Sequence, residues 1–251
     1  MAKLFENERI DEVNDNLSLI QKTDGLTFGT DALLLAAYIS AHYSRALELG
    51  GGSGIISMLL LSREKVDNID CCEVQDEYAA LIERNAELNR LSSRLKVLAC
   101  DVRELSHTES YELVFSNPPY MKASGGKNNQ NDKKSIARHE ILGDINDFVS
   151  AASRSLKYGG IFYAVYRPDR LLDIIVAMRH ASLEVKRMTF VHADTSHEAS
   201  MVLIEGKKGG KSGMHLTRPF IIYKDNSHKE YTEEMTYVME NGSFPQKYNR
   251  K

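Results

Sequence analysis

No stretch of the 251-residue chain is apolar for long enough to cross a bilayer; the longest runs, Ala32 to Ile39 and Ile55 to Leu61, fall far short of the ~20 residues a spanning helix needs. The first residues, MAKLFENERIDE, turn acidic where a signal peptide requires an apolar stretch, so a cytoplasmic address is expected. Cysteine is scarce. Cys71, Cys72 and Cys100 show neither the CxxC pairing of a zinc site nor the even count of a disulfide framework, and they read as reduced residues on buried strands, with no metal expected. The chain also lacks a positive balance. A net charge of −3 excludes a protein that coats nucleic acid through one broad basic face, so local patches matter more than the total. There is no low-complexity tract and no internal repeat.

With 42% hydrophobic and 27% charged residues, the composition is that of an ordinary globular chain long enough for one large core. From about residue 45, short β-branched or apolar runs alternate with amphipathic stretches, the pattern of a largely parallel sheet covered by helices. Strands are expected near 45–49, 68–73, 94–99, 111–116, 159–166, 183–191 and 199–206. DEYAALIERNAELNR (76–90) opens on acidic residues and carries Ala79, Ile82, Ala86 and Leu88 at near-helical spacing, so it reads as a surface helix. Ahead of the alternation lie a short strand (17–21), a loop, and a helix starting at Thr30 or Asp31, either of which can cap it. The expected organisation is an entry segment (1–42), a catalytic domain (43–225) and a polar tail (226–251) with a disordered end. The polar stretch 121–143 is longer than most loops of a compact domain, which marks it as functional or mobile.

Glu48-Leu49-Gly50-Gly51-Gly52-Ser53-Gly54 follows an expected strand and precedes an expected helix, IISMLLLSRE. Glycines in such a turn permit unusual backbone angles and let a nucleotide-like ligand approach bare backbone. The spacing is GxGxG, not the GxGxxG of dinucleotide enzymes, and no GK[ST] follows to make a phosphate loop. The later GKKGGKS (206–212) has the wrong glycine spacing and no helix after it. Glu73 and Asp101 end the next two strands, so three acids, Glu48 included, are expected to face one crevice. A carboxylate at Glu73 suits a ribose diol. Asp101 can either meet an adenine amino group or order the following loop.

Asn117-Pro118-Pro119-Tyr120 ends the fourth strand of the alternation, and it is the most specific signal in the chain. Two prolines stiffen the turn and supply no competing amide donors. The Asn117 side-chain carbonyl and the Pro118 backbone carbonyl can then accept both hydrogens of a planar –NH₂ group. Such a nitrogen is a poor nucleophile, and holding it in line with an electrophilic methyl is most of what catalysis can offer it. Tyr120 would stack on a flat base. As an isolated tetrapeptide the segment also fits a structural turn; its place at the end of a strand in the same sheet as the glycine turn favours the functional reading.

Taken together, ELGGGSG, CCEVQ, ACDVREL and FSNPPY resemble the motifs of class I methyltransferases that act on amino nitrogens. With LIQKTDGLTFGTDALLLAAY, the RHE at 138–140, YRPDRLLDIIVAMRH and FVHADTSHEASMVLIEGKKGGK, the chain resembles the bacterial tRNA1(Val) adenine-37 N6-methyltransferase family over roughly residues 5 to 225. The resemblance implies a Rossmann-like α/β fold whose seven-stranded, mostly parallel sheet has its last strand antiparallel, with helices on both faces. It implies S-adenosylmethionine as cofactor and an anticodon-loop adenine of tRNA as substrate. Carried over residue by residue, it puts the methyl donor on Glu48, Gly50, Gly52, Glu73 and Asp101, with Leu49, Gly54, Val74, Val102 and Asn117 beside them. Amine recognition falls to Asn117, Pro118, Pro119 and Tyr120. The NPPY signature is shared with enzymes that methylate protein glutamine or adenine in DNA, so a glutamine or another RNA base stays open as substrate, as does a non-catalytic RNA-binding module.

Two segments carry an excess of positive charge: 120–140, with Lys122, Lys133, Lys134 and Arg138, and 205–229, with Lys207, Lys208 and Lys211. If they flank the crevice, they neutralise RNA phosphates and make binding salt-dependent; otherwise they are solvated loops. His139 can contact substrate or cap the following helix.

Overall fold

The computed structural model describes residues 4–23, 28–118 and 143–249. Strands β1 (Glu8–Asn14) and β2 (Leu17–Lys22) form an antiparallel hairpin, and helix α1 (Thr30–Tyr38) comes next. The alternation then runs β3 (Tyr43–Leu49), α2 (Ile55–Ser62), β4 (Val66–Glu73), α3 (Asp76–Leu88), β5 (Leu95–Ala99), β6 (Tyr111–Ser116), α4 (Ile145–Ser155), β7 (Leu156–Tyr166), α5 (Leu171–His180), β8 (Leu183–His192) and β9 (Ala199–Lys208). Two-residue strands β10 (His215–Leu216) and β11 (Phe220–Ile221) and helix α6 (Glu233–Asn241) complete the described chain.

The large sheet has the order β5-β4-β3-β6-β7-β9-β8. Strands β3 to β7 are mutually parallel, and β9 runs antiparallel to both β7 and β8. This is the α/β class expected from the sequence and the strand direction implied by the resemblance, with β10 and β11 added along the outer edge of β8, where they cover part of an otherwise open strand.

Period-two alternation sorts the central strands between two cores. Ala46, Leu113 and Phe115 face a layer containing α1, α2 and the C-terminal segment, while Leu47 and Val114 face α4 and α5. Because both faces are covered, these strands read as continuous apolar runs rather than alternating ones. Helix α2 is buried on every side: Ile55 to Leu61, Ser57 included, are all buried.

Two features escaped the sequence reading. Strand β1 is polar (ERIDEVN), so nothing in its pattern marks it; it is held by pairing to β2 and by the Glu8–Arg84 ion pair at 2.6 Å. The fully buried Asn85 of α3 accepts from the Ile20 amide at 2.7 Å and donates to the carbonyls of Ile20 and Ser53, fastening the hairpin to the glycine turn. At the other end, residues 226–249 fold onto the sheet, with Phe244 and Tyr248 buried in the same core as α1. Arg187, the largest fully buried side chain among the described residues, organises this region. Its Nε lies 2.8 Å from Glu205 Oε2, its Nη2 donates to the Tyr38 carbonyl at 2.8 Å, its Nη1 donates to the Tyr248 carbonyl at 3.1 Å, and its guanidinium sits over the Tyr38 ring.

Removing one member of a buried ion pair leaves the other charge uncompensated. Arg187→Met should therefore cost about 3–5 kcal/mol in urea unfolding, and Arg187→Met with Glu205→Leu distinctly less. A single variant within about 0.5 kcal/mol of the parent, the range of an inconsequential surface change, would contradict this role.

Candidate functional site

Strand order reverses between β3 and β6: from β3 the chain steps outward to β4 and β5, then returns to β6 on the other side. Ligands of open α/β sheets bind outside the carboxyl ends of the strands at such a point. Leu49 and Ser116, the last residues of β3 and β6, are register partners, and Ser116 Oγ donates to the Leu49 carbonyl at 2.7 Å. Gly50 and Asn117 therefore leave neighbouring strands at the same rim.

The turn after β3 needs its glycines for different reasons. Gly50, Gly52 and Gly54 have φ of 74°, 55° and 80°, a region costly for residues with a Cβ. Gly51 is required by contact, since a Cβ there would lie 2.3 Å from Cys71 Sγ. Gly52 is the opposite case: a Cβ would meet no heavy atom within 4 Å, so its bare backbone faces open space where a ligand can approach. Glu73, at the end of β4, braces this turn, accepting from the Gly52 amide at 2.9 Å and the Gln75 amide at 3.0 Å. Each carboxylate oxygen has a second lone pair, so the same group can also take hydroxyl donors. The residues present fit a nucleoside-bearing cofactor.

The other two acids depart from the expectation of three carboxylates facing one crevice. Glu48 is 1% exposed; being on the α2 face of β3, it points under the first turn of that helix and accepts from Ser57 Oγ and, at 3.5 Å, from Cys71 Sγ. Burial pushes its pKa up to about 7. Asp101 caps the turn Val102–Glu104 by accepting from the Arg103 amide at 2.8 Å, and the Arg103 guanidinium pairs with its carboxylate and holds its pKa below the usual range. Of its two expected roles, ordering the following loop is the one this geometry displays. The Leu49 side chain is fully buried, Val74 is half-buried and Val102 buried.

Asn117 has a partner that no sequence spacing indicates. Its Nδ2 donates to Asp31 Oδ2 at 2.8 Å, while Asp31 Oδ1 accepts from the Ala32 amide at the start of α1. A carboxylate accepts only, so this bond fixes which side of the Asn117 amide is the carbonyl. Asp31 also lines a cleft of about 740 Å³ together with Thr30, Tyr166, Arg167, Pro168, Asp169 and residues 198–201. That cleft lies at the carboxyl end of β7, on the rim that carries Asn117. Pro118 is buried. Pro119 and Tyr120 lie outside the described residues, as do Lys122, Lys133, Lys134, Arg138 and His139.

The sheet does not bring Lys207, Lys208 and Lys211 to the crevice. Because β9 is antiparallel, its first residues reach the catalytic rim and its last ones the opposite rim: Lys207 pairs with Ile161, Lys208 Nζ donates to the Leu156 carbonyl, and the Lys211 carbonyl accepts from Lys186 near the start of β8.

Residues 22–181 match the family model described as methyltransferase small domain. A protein of Shewanella sp. (strain W3-18-1), named tRNA1(Val) (adenine(37)-N6)-methyltransferase, is 24% identical over 88% of this chain and 99% of its own length. An Aeromonas hydrophila protein of the same name is 29% identical over 72% of this chain and 76% of its own length. Among solved structures, a predicted O-methyltransferase from Agrobacterium tumefaciens superposes with a TM-score of 0.70 at 24% identity, covering 86% of this chain and 98% of that one, a likeness of fold. No helix among the described residues is long and apolar enough to cross a membrane.

The buried Glu48 makes stability depend on pH. Its pKa is raised in the fold from an ordinary 4.5 to about 7, so its stabilising contribution is complete below pH 4.5 and is lost as pH rises through 7. At ~1.4 kcal/mol per pH unit the difference is worth about 3 kcal/mol. Urea unfolding should show Glu48→Gln gaining roughly that much on the parent between pH 4.5 and 8; parallel profiles would contradict it.

Proposed function

The chain belongs to the methyltransferase small domain family and is an S-adenosylmethionine-dependent methyltransferase, and we propose that its substrate is the N6 amino group of an adenine in tRNA, at position 37 of the anticodon loop of a valine tRNA. The observation that carries this reading is the Asp31–Asn117 hydrogen bond at the switch point of the sheet. With Nδ2 donating to Asp31, the amide carbonyl is the side that can accept, and an amide oxygen has two lone pairs for doing so; the Pro118 carbonyl is proposed as a second acceptor. Two acceptors match the two hydrogens of an exocyclic amine. The names of the Shewanella and Aeromonas relatives support the choice of adenine in tRNA.

We assign the cofactor to Gly50, Gly52 and Gly54, the backbone of Leu49, and Glu73, Val74 and Val102, with Glu48 and Asp101 holding the turn and the next loop in shape. When bound, S-adenosylmethionine supplies an electrophilic methyl. Asn117 and Pro118 hold the amine in line, and their carbonyls draw its protons so that nitrogen electron density is available. As the N–C bond formed, the methyl's bond to the donor sulfur would break, its electron pair staying on sulfur as a neutral thioether, and the extra proton on nitrogen would pass to solvent without a strong general base. Tyr120 is proposed to stack on the base, and Lys122, Lys133, Lys134 and Arg138 to meet RNA phosphates. A loop adenine is already partly unstacked, so drawing it into the cleft costs less than from a duplex.

Asn117→Ala should lower kcat by about 10²–10³-fold while cofactor binding, read by calorimetry, stays within a factor of about three, the scatter of context effects on a contact the variant does not remove. Asp31→Ala should lower kcat less, by about 10-fold, the equivalent of ~1.4 kcal/mol, with KM for tRNA little changed. Full turnover by Asn117→Ala would rule out the amine clamp. For the substrate, nucleosides from tRNA of a strain lacking the protein should lose one N6-methyladenosine; an unchanged tRNA with methyl label entering a protein fraction would move the reading to glutamine.

A further inference from the structure

Strand β8 ends at His192, and residues 193–198 turn the chain back into β9. Within this turn Asp194 is buried, and its Oδ1 accepts from both the amide and the Oγ of Ser196, at 2.7 and 2.6 Å. The carboxylate is thereby fixed with Oδ2 turned outward. There Oδ2 lies 2.7 Å from His197 Nδ1 and 2.8 Å from His228 Nε2. His228 arrives from the distant segment after β11 and is held by stacking on Tyr223, with ring centroids 4.7 Å apart and planes 19° from parallel. The two imidazoles are about half exposed, at 54% and 41%, over the buried carboxylate, and all three ligand atoms lie within 4.8 Å of one another.

We propose that Asp194, His197 and His228 form a zinc-binding site. Two imidazole nitrogens and one carboxylate oxygen are a donor set suited to Zn²⁺, whereas Mg²⁺ and Ca²⁺ favour oxygen ligands. The Ser196 bonds to Oδ1 and the Tyr223 stack orient the ligands before any ion arrives, the role that outer partners play around metal centres. Exposure of both rings leaves the remaining coordination position to water. The sequence hides the set because one ligand comes from a separate segment, and the expectation of no metal rested on cysteine spacing alone. A bound dication joins the 193–198 turn, whose continuation 198–201 walls the cleft beside Asp31, to the C-terminal segment. It adds positive charge to a wall that otherwise carries Asp169 and Glu198 against Arg167. The site stands independently of the methyl-transfer reading, because its test reads metal occupancy.

The test is a calorimetric titration of tag-free full-length protein with ZnCl₂, followed by thermal unfolding and X-ray absorption at the zinc edge. One equivalent should bind, the midpoint of unfolding should rise with zinc concentration, and the edge spectrum should show imidazole nitrogen and oxygen with no sulfur. His197→Ala and His228→Ala should each weaken binding by more than the about 10–100-fold that loss of an outer partner costs, while Cys100→Ser binds as the parent does. No uptake of zinc would overturn the proposal and leave the cluster a hydrogen-bonded clip. Zinc bound equally by both histidine variants, or sulfur in the spectrum, would overturn it as well.

Discussion

The parallel pairing of β3 with β6 is the constraint on which the rest of this molecule depends. It brings together two segments more than sixty residues apart in the chain, and it sets them in register at their last residues, Leu49 beside Ser116. The strand exits are then placed by geometry: a glycine turn with open space at Gly52 leaves β3, and the Asn-Pro bend, whose Asn117 side chain donates to Asp31, leaves β6 beside it. Had β6 run antiparallel, the bend would lie at the opposite rim and the two would share no crevice. The buried hydrogen bond from Ser116 to the Leu49 carbonyl ties the two exits together where the ladder ends.

Around that pairing the ionisable groups divide by task. Glu48 is wholly buried beneath the turn, Glu73 braces it from the side, and Asp101 caps the next loop. Asp31 acts across the crevice, aligning the side chain of Asn117. Under the proposed reading, none of these needs to move a proton for an amine to accept a methyl group. A site of this kind is built for position, and its hydrogen bonds serve to hold backbone turns and one amide in place. Opposite, Arg187 links β8, β9, α1 and the C-terminal segment, so the wall of the cleft is anchored to the core.

Much of the sheet was legible in the sequence, because parallel strands covered on both faces read as short apolar runs between helical stretches. Strand β6 falls at its expected bounds, and the others shift by a few residues at their ends, where pairing rather than composition sets the limit. Strand β1 was not legible, since its polar residues owe their conformation to the partner strand. The folding of the C-terminal segment was obscured by its charged residues and by Pro245, which interrupts the helical spacing of Phe244 and Tyr248. At the site, the glycine turn and the Asn-Pro bend were found because local chemistry demands those residue types. Asp31 was missed because its role exists only across the fold. Lys207, Lys208 and Lys211 were misplaced by treating a charge cluster as a neighbour of the crevice without the direction of β9.

The central claim, that one cavity at the β3–β6 switch point holds both cofactor and amine, is tested most directly by a crystal structure of the chain with S-adenosylhomocysteine. The account predicts the ligand's ribose beside Glu73, its backbone contacts along Gly50 to Gly52, and its sulfur facing Asn117. A ligand seated at another rim of the sheet, or one that leaves Gly52 untouched, would contradict it.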